Sequence, residues 1–315
     1  MSAISIVIPV YNESAIIREN TKTILQELSV IEENEFSLLF VDDGSSDSTV
    51  DIINTLRESY QNIEILCLNR NFGKEPAIFA GLQVAQGKAV IVMDVDLQHP
   101  PSLIREMVAL WQQGFDVVEA FKNIRNKETL CYRLSVVIFY KLFGYLTQID
   151  ISNQTDFKLL DRKVVDQYCS LHEKVRFFRG LVNWFGFKSA RIPFNVPNRQ
   201  HGSSKWTISK LLRLSISALS GFTSKPLHII SFLGIACFAM SLVIGGIALH
   251  DKFTGNAAVG FTTVIMLILM TGSVLMFGLW IIGIYLEQIF IEVKGRPEFI
   301  VNVSKSSIIK TAKTG

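Results

Sequence analysis

Two long stretches of the chain, Leu227 to Leu249 and Thr262 to Leu286, contain no Asp, Glu, Lys or Arg. As a helix, each is long enough to cross a hydrocarbon layer about 30 Å thick, which takes about 20 residues. Two such segments in tandem beside an otherwise polar sequence point to a pair of membrane spans, not to core helices of a soluble domain. With 315 residues and a mean hydropathy of +0.33, the chain keeps material for one domain of roughly 200 residues ahead of the spans.

Basic residues orient the spans. Lys205, Lys210, Arg213 and Lys225 precede the first, and Lys294, Arg296, Lys305, Lys310 and Lys313 follow the second. The connecting segment from His250 to Gly260 sets only Lys252 against Asp251. Both flanks are therefore expected on the cytoplasmic face. Met1 to Val10 lacks a basic leader and carries Pro9 inside an apolar run, so it reads as a strand and not as a signal peptide. Cys67, Cys131, Cys169 and Cys237 are widely spaced with no Cys-x-x-Cys pair, which suits apolar fillers in a reducing compartment and neither disulfides nor zinc ligands. The net charge of +3 says little, but basic residues cluster beside the spans, where anionic headgroups are the natural partner, and no segment resembles a nucleic-acid module.

The first 120 residues alternate apolar runs with helical patterns. Ile4 to Val10, Phe36 to Val41, Ile63 to Leu68, Ala89 to Met93 and Asp116 to Ala120 read as strands. Ile16 to Leu28, Ser48 to Ser59, Pro76 to Ala85 and Pro101 to Gln112 read as the helices between them. A βαβ series of this kind builds a mostly parallel sheet, whose ligands bind at the carboxyl ends of the strands. Tyr11-Asn12-Glu13, Asp42-Asp43-Gly44-Ser45 and Asp94-Val95-Asp96 all fall at those ends. Carboxylates at i and i+2 of an extended segment point to one side, so Asp94 and Asp96 can reach one divalent cation and the diphosphate it bridges. No Gly-x-Gly-x-x-Gly follows the first strand, which argues against a dinucleotide dehydrogenase.

The segment from Lys127 to Phe194 is less regular, with a helix expected over Leu130 to Leu146 and a strand near Lys188 to Pro193. A loop over Asn195 to Lys205 leads into Trp206 to Phe222, whose mixed apolar and basic spacing reads as a helix lying in the membrane interface. The expected layout is a catalytic domain over residues 1–205, the interface helix over 206–224, a two-helix anchor over 225–290 and a cytosolic tail over 291–315.

Four ordered motifs carry a family resemblance: Ile-Pro-Val-Tyr-Asn-Glu at 8 to 13, Asp-Asp-Gly-Ser at 42 to 45, Asn69-Arg70-Asn71-Phe72-Gly73-Lys74, and Asp94-Val95-Asp96-Leu97-Gln98 with Pro100-Pro101. Together they resemble the inverting family-2 glycosyltransferases of the GT-A type. Among these, the chain looks most like the polyisoprenyl-phosphate glycosyltransferases, the bactoprenol glucosyltransferases and dolichol-phosphate mannose synthase, over essentially its whole length. The resemblance implies a Rossmann-like α/β domain in which Pro9, Tyr11 and Glu13 cradle a nucleotide and Asp42 reads its uracil. Lys74 would lie near the nucleotide and offset phosphate charge. Asp94 would touch the ribose and donor, Asp96 would ligate Mg²⁺ or Mn²⁺, and Gln98 would be a neutral oxygen ligand or diphosphate neighbour.

Thr155-Asp156-Phe157-Lys158-Leu159-Leu160 resembles a family segment in which Gly stands for Thr155 and Arg for Lys158, with Asp156 facing the reacting carbon of the sugar. A polyprenyl monophosphate has a second pKa near ~6 and is already largely an anion at neutral pH. Asp156 is therefore read as positioning the acceptor or stabilising positive charge on the anomeric carbon, with general base as the weaker alternative. Arg199-Gln200-His201-Gly202-Ser203-Ser204-Lys205-Trp206 is similar to a family loop that ends in Tyr where this chain has Trp206. It implies that Arg199, Ser204 and Lys205 grip the acceptor phosphate at headgroup height, with the donor diphosphate as the alternative partner of Arg199 and Lys205.

The implied activity is inverting transfer of one hexose, with UDP-glucose as donor, to polyprenyl (undecaprenyl) phosphate at the cytosolic face of a bacterial inner membrane. Alternatives are the same chemistry with mannose, N-acetylhexosamine or aminoarabinose, a processive polysaccharide synthase, or an inactive scaffold. The synthase would be expected to carry a Gln-x-x-Arg-Trp segment, which the chain lacks. The partners implied are the UDP-sugar, the lipid phosphate and the membrane, with a homo-oligomer and a separate flippase left open.

A reporter fused after Gly315 is expected in the cytoplasm and one inserted near Asn256 on the outside, as read by compartment-specific activity. Both on one side would remove at least one span.

Overall fold

A computed structural model describes residues 2–31, 34–122, 154–194, 223, 225–254 and 260–308. The expected helices over Leu130 to Leu146 and Trp206 to Phe222 lie outside these residues. So do the 195–205 loop and, with it, Arg199, Ser204 and Lys205.

The expected alternation is present to within a couple of residues at each boundary. In chain order the elements are β1 (Ser2–Val10), α1 (Ile17–Ser29), β2 (Asn34–Asp42), α2 (Thr49–Ser59), β3 (Ile63–Cys67), α3 (Lys74–Val84), β4 (Ala89–Val92), α4 (Leu103–Gln112) and β5 (Val117–Lys122). They continue with β6 (Gln154–Asp161), α5 (Arg162–Ser170), α6 (Phe178–Trp184), β7 (Ser189–Phe194), α7 (Lys225–Phe253) and α8 (Phe261–Val293).

The strands form a seven-stranded sheet in the order β3-β2-β1-β4-β6-β5-β7. Every neighbouring pair is parallel except those made by β6, which runs antiparallel to both β4 and β5. This is the mostly parallel GT-A sheet the sequence implied. Helices cover both faces, and the strands accordingly read as continuous apolar runs. On one face Ile4, Ile6, Ile8 and Val10 of β1 join a core with α1, α2 and α4, including Ile24, Ile53 and Ile104. On the other face α3 lies so close to the sheet that a Cβ on Gly81 would meet the side chains of Val7 and Val41.

β6 is a strand that the sequence analysis did not assign. Its alternate residues Gln154, Asp156 and Lys158 are polar, the pattern of a strand with one wet face, yet all three are buried. Their burial is offset by pairing: Lys158 Nζ lies 3.0 Å from Glu119 Oε1 on β5, and Asp156 is held by two cations described below.

The residues after α8 return to this sheet. Ile300 to Ser307 lie along β3, the strand at the edge, and the residue after it, through a bridge between Leu68 and Val301. Asn302 N–H donates to Cys67 O at 2.7 Å and Ser307 N–H to Ile65 O at 2.9 Å. In return the Ile65 and Cys67 N–H groups donate to the hydroxyls of Ser307 and Ser306, each at 2.9 Å. An unpaired strand edge is a template for aggregation, and this segment closes it.

Among the described residues, 225–254 and 260–295 cluster as a separate unit. Its stretches Ile230–Ile247 and Leu267–Val293 are long and apolar enough to cross a membrane. Phe232, Ile235, Phe238, Leu275, Met276 and Leu279 are all more than half exposed, which a soluble core helix would not allow. The second stretch runs past the charge-free segment and takes in Glu287 and Glu292.

Candidate active site

β1 connects through α1 to β2 on one side, and β4 lies on its other side, so the order of the strands reverses between β1 and β4. Their pairing ends at Val7 and Val92, and Pro9 stands just beyond it, where a missing N–H costs the β4 ladder nothing. At this switch point the strand ends part and leave a cavity of about 340 Å³ lined by Pro9, Tyr11, Glu13, Asp43, Asn71, Lys74, Asp94 and Asp96. Six of these, Pro9, Tyr11, Glu13, Lys74, Asp94 and Asp96, were singled out from the sequence, and Asp43 adjoins another, Asp42.

The loop after β1 is lashed to the loop after β2. Asn12, in the left-handed region at φ 54°, donates its N–H to Ser45 Oγ at 2.9 Å and accepts from Ser46 N–H at 2.9 Å. Glu13 N–H donates to Thr49 Oγ1 and Ser14 N–H to Asp47 Oδ2. Tyr11 stays 45% exposed at the rim, where a flat base can lie against its ring.

The two carboxylates at the end of β2 divide their work. Asp42 accepts from Ser45 N–H at 3.1 and 3.3 Å and turns into its own loop, off the cavity. Asp43 lines the cavity and accepts from the Phe72 and Gly73 N–H groups at 2.7 and 2.9 Å. Burial pushes the Asp43 carboxyl up to about 6 despite those two bonds, and burial also raises Asp42. Asp43 thereby fixes the 69–74 loop, whose Gly73 reaches φ 105° and turns the chain into α3.

Lys74, the first residue of α3, joins two carboxylates that are far apart in sequence. Its Nζ lies 2.6 Å from Asp94 Oδ1 and 2.7 Å from Asp156 Oδ2. Arg179 on α6 closes the other side of Asp156 with a two-pronged contact, Nε to Oδ1 at 2.6 Å and Nη2 to Oδ2 at 2.9 Å. The Asp156 side chain is only 7% exposed. Burial would raise its pKa, but Arg179 and then Lys74 outweigh burial and hold the carboxyl well below the usual range. Held in this way, the group is a fixed negative charge and a poor proton acceptor. The same contacts with Asp156 and Asp94 raise Lys74 against the pull of burial.

Arg179, Asp43 and Glu75 are the partners that sequence reasoning missed. Glu75, one residue beyond Lys74, accepts from Phe178 N–H at 2.8 Å and so caps the start of α6 from another helix. Burial, and after it the charge of Asp156, pushes Glu75 up to about 7. His99, in the segment after Asp96, is buried between the Phe157 and Phe194 rings with Nδ1 4.0 Å from Asp94 Oδ2.

Asp96 is exposed at the rim, with Gln98 N–H on its Oδ1 at 3.1 Å. The Gln98 side chain is half-buried and does not line the cavity. Among the described residues no three His, Cys, Asp or Glu side chains converge to enclose a metal. Two carboxylates at an open rim fit a hard cation of the Mg²⁺ class, which binds through one or two carboxylates and takes its other ligands from water and substrate phosphates.

Residues 5–170 match the sequence model of the family described as Glycosyl transferase family 2. An uncharacterised glycosyltransferase of Bacillus subtilis is 38% identical over 302 residues, 95% of this chain and 93% of its own length. The SfII prophage-derived bactoprenol glucosyl transferase of Shigella flexneri is 35% identical over 303 residues, 96% of this chain and 98% of its own. A prophage bactoprenol glucosyl transferase homolog of Escherichia coli is 34% identical over 300 residues, covering 95% and 98%.

The raised Glu75 carboxyl has a pH signature. Between its ordinary value of 4.5 and about 7 the folded chain holds a proton that the unfolded chain releases, so its contribution to stability declines as pH rises through that window. Glu75→Gln keeps an oxygen for Phe178 N–H and removes the titration. Its thermal midpoint is expected to fall less than the native one across that range, and parallel curves would contradict the assignment.

Proposed function

Because the chain belongs to glycosyl transferase family 2, we propose that it moves one glucose from UDP-glucose to polyprenyl phosphate, with inversion at the anomeric carbon. The observation that carries this reading is the meeting of Lys74, Asp94 and Asp156 at the switch point of the sheet, in a chain that also has two helices apolar enough for a membrane. Its relatives named as bactoprenol glucosyl transferases align with nearly the whole chain and support the lipid acceptor.

In this reading Pro9, Tyr11 and Glu13 hold the nucleoside, with the base near the carboxylates that end β2, and Asp94 and Asp96 hold the diphosphate end. A bound Mg²⁺ or Mn²⁺ supplies positive charge to the leaving diphosphate. Lys74 adds a second positive charge on the same side of the sugar and orients Asp156 toward the anomeric carbon. Positive charge develops on that carbon as the bond to UDP lengthens, and the ionised Asp156 stabilises it in a low-dielectric site. The acceptor phosphate is already an anion and attacks from the face opposite UDP, so Asp156 need not take a proton. One displacement gives a β-linked polyprenyl-phosphate glucose. Arg199, Ser204 and Lys205 grip the lipid phosphate, and Gln98 supports the diphosphate side.

The basic flanks of the spans support a reading in which this chemistry takes place on the cytosolic face of a bacterial inner membrane, with both termini inside. The lipid-linked sugar would then need a separate flippase to reach a surface glycan.

The test is incubation of the purified chain with undecaprenyl phosphate and Mn²⁺ or Mg²⁺ and, in turn, UDP-glucose, UDP-N-acetylglucosamine and GDP-mannose. A β-anomeric glucosyl lipid is expected from UDP-glucose by nuclear magnetic resonance. Asp96→Asn is expected to weaken metal-dependent UDP binding by about 10–100-fold and to abolish transfer. A preference for another donor would revise the sugar, and full turnover in excess chelator would end the metal assignment.

A further inference from the structure

The segment that closes the edge of β3 also reaches the elements that carry the partners of Asp156. Glu298 Oε2 lies 2.8 Å from Arg176 Nε, and the Arg176 side chain is only 2% exposed. The other two guanidinium nitrogens donate to backbone carbonyls at the end of α5, Nη1 to Tyr168 O at 3.1 Å and Nη2 to Leu171 O at 2.7 Å. The guanidinium carbon stands 3.6 Å over the ring of Phe79 in α3, and Phe299 meets the edge of the same ring at 5.9 Å. Arg176 is thus a joint between α3, α5 and the segment beyond α8.

Both cations on Asp156 hang from that joint. Lys74 begins α3, the helix whose Phe79 stacks under Arg176. Arg179 follows Arg176 by three residues, with Phe178 N–H between them fixed on Glu75. A guanidinium buried among Phe79 and Tyr168 needs an anion against it, and Glu298 is the anion in contact with it. With that charge removed, the guanidinium gains by turning toward water, which pulls the 176–179 segment and loosens α3.

We propose that Glu298 is a positioning residue for sugar transfer, acting through Arg176 to hold Lys74 and Arg179 on Asp156. The proposal rests on the transfer reading above. It assigns a role in the reaction to residues that follow the second apolar helix, beyond the stretch that matches the family. A displacement on the order of 1 Å at reacting groups costs about a hundredfold in rate, so even a partial shift is measurable.

The full-length native chain is compared with Glu298→Ala, Glu298→Gln and Arg176→Lys in detergent. The rate is expressed per UDP·Mn²⁺ site titrated by calorimetry, which removes any loss of folded protein. Glu298→Ala is expected to lose about tenfold or more in kcat per site while KM for UDP-glucose stays within about twofold. Glu298→Gln, which keeps an oxygen on Arg176 Nε but removes the charge, is expected to fall between the native chain and the Ala variant. Arg176→Lys, which cannot fork to Tyr168 O and Leu171 O, is expected to fall with the Ala variant. An unchanged kcat per site in Glu298→Ala would overturn the inference, and a loss seen only in the number of sites would reduce the contact to a structural one and overturn it equally. Absence of any sugar transfer by the native chain would overturn instead the reading on which it rests.

Discussion

Removing a carboxylate from water costs several kcal/mol unless cations stand against it, and a buried Asp156 is stable here only because Lys74 and Arg179 do. That requirement organises the site. Lys74 must come off the start of α3 at the right height, which needs the Gly73 turn and the grip of Asp43 on the two N–H groups before it. Arg179 must come off the start of α6, which Glu75 caps. The charge on Asp156 in turn helps to raise Glu75, so the protonation states of the cluster depend on one another. Lys74 is shared between Asp156 and Asp94, so the acceptor side and the diphosphate side of the reading meet at a single ammonium group.

The sheet makes the meeting geometrically possible. β6 is the one strand that runs against its neighbours, so its first residues, not its last, arrive at the carboxyl end of β4. A parallel strand would have carried Asp156 to the opposite rim. The switch between β1 and β4 opens the space above it, and β5 and β6 bury the Glu119 and Lys158 pair beneath. The segment beyond α8 then seals the free edge at β3, next to the loop that delivers Lys74.

Much of this was legible in the sequence where local patterns carry it. Apolar runs gave the parallel strands, and the carboxylates at their ends marked Asp94, Asp96 and the β2 turn. Asp43 was within reach of the same logic. Val41 packs toward α3 and successive side chains alternate, so the α3 side of β2 belongs to odd positions and Asp43 falls there, with Asp42 on the other side. What could not be read was pairing across distance. Asp156 and Lys74 are 82 positions apart, and no spacing rule joins them or links Glu298 to Arg176. β6 carries the alternation of a half-exposed strand, and what its local pattern could not show is that Gln154, Asp156 and Lys158 are buried, since that depends on partners from other elements.

The central claim is that Asp156 serves as a permanently ionised charge and not as a base tuned to accept a proton. Infrared difference spectra of protein labelled with ¹³C-carboxyl aspartate, native minus Asp156→Asn, report its protonation directly across about pH 5 to 8. The account predicts a carboxylate band assigned to Asp156 that is unchanged throughout that range. A protonated carbonyl band that titrates near neutrality, as a general base poised for turnover would show, would contradict it.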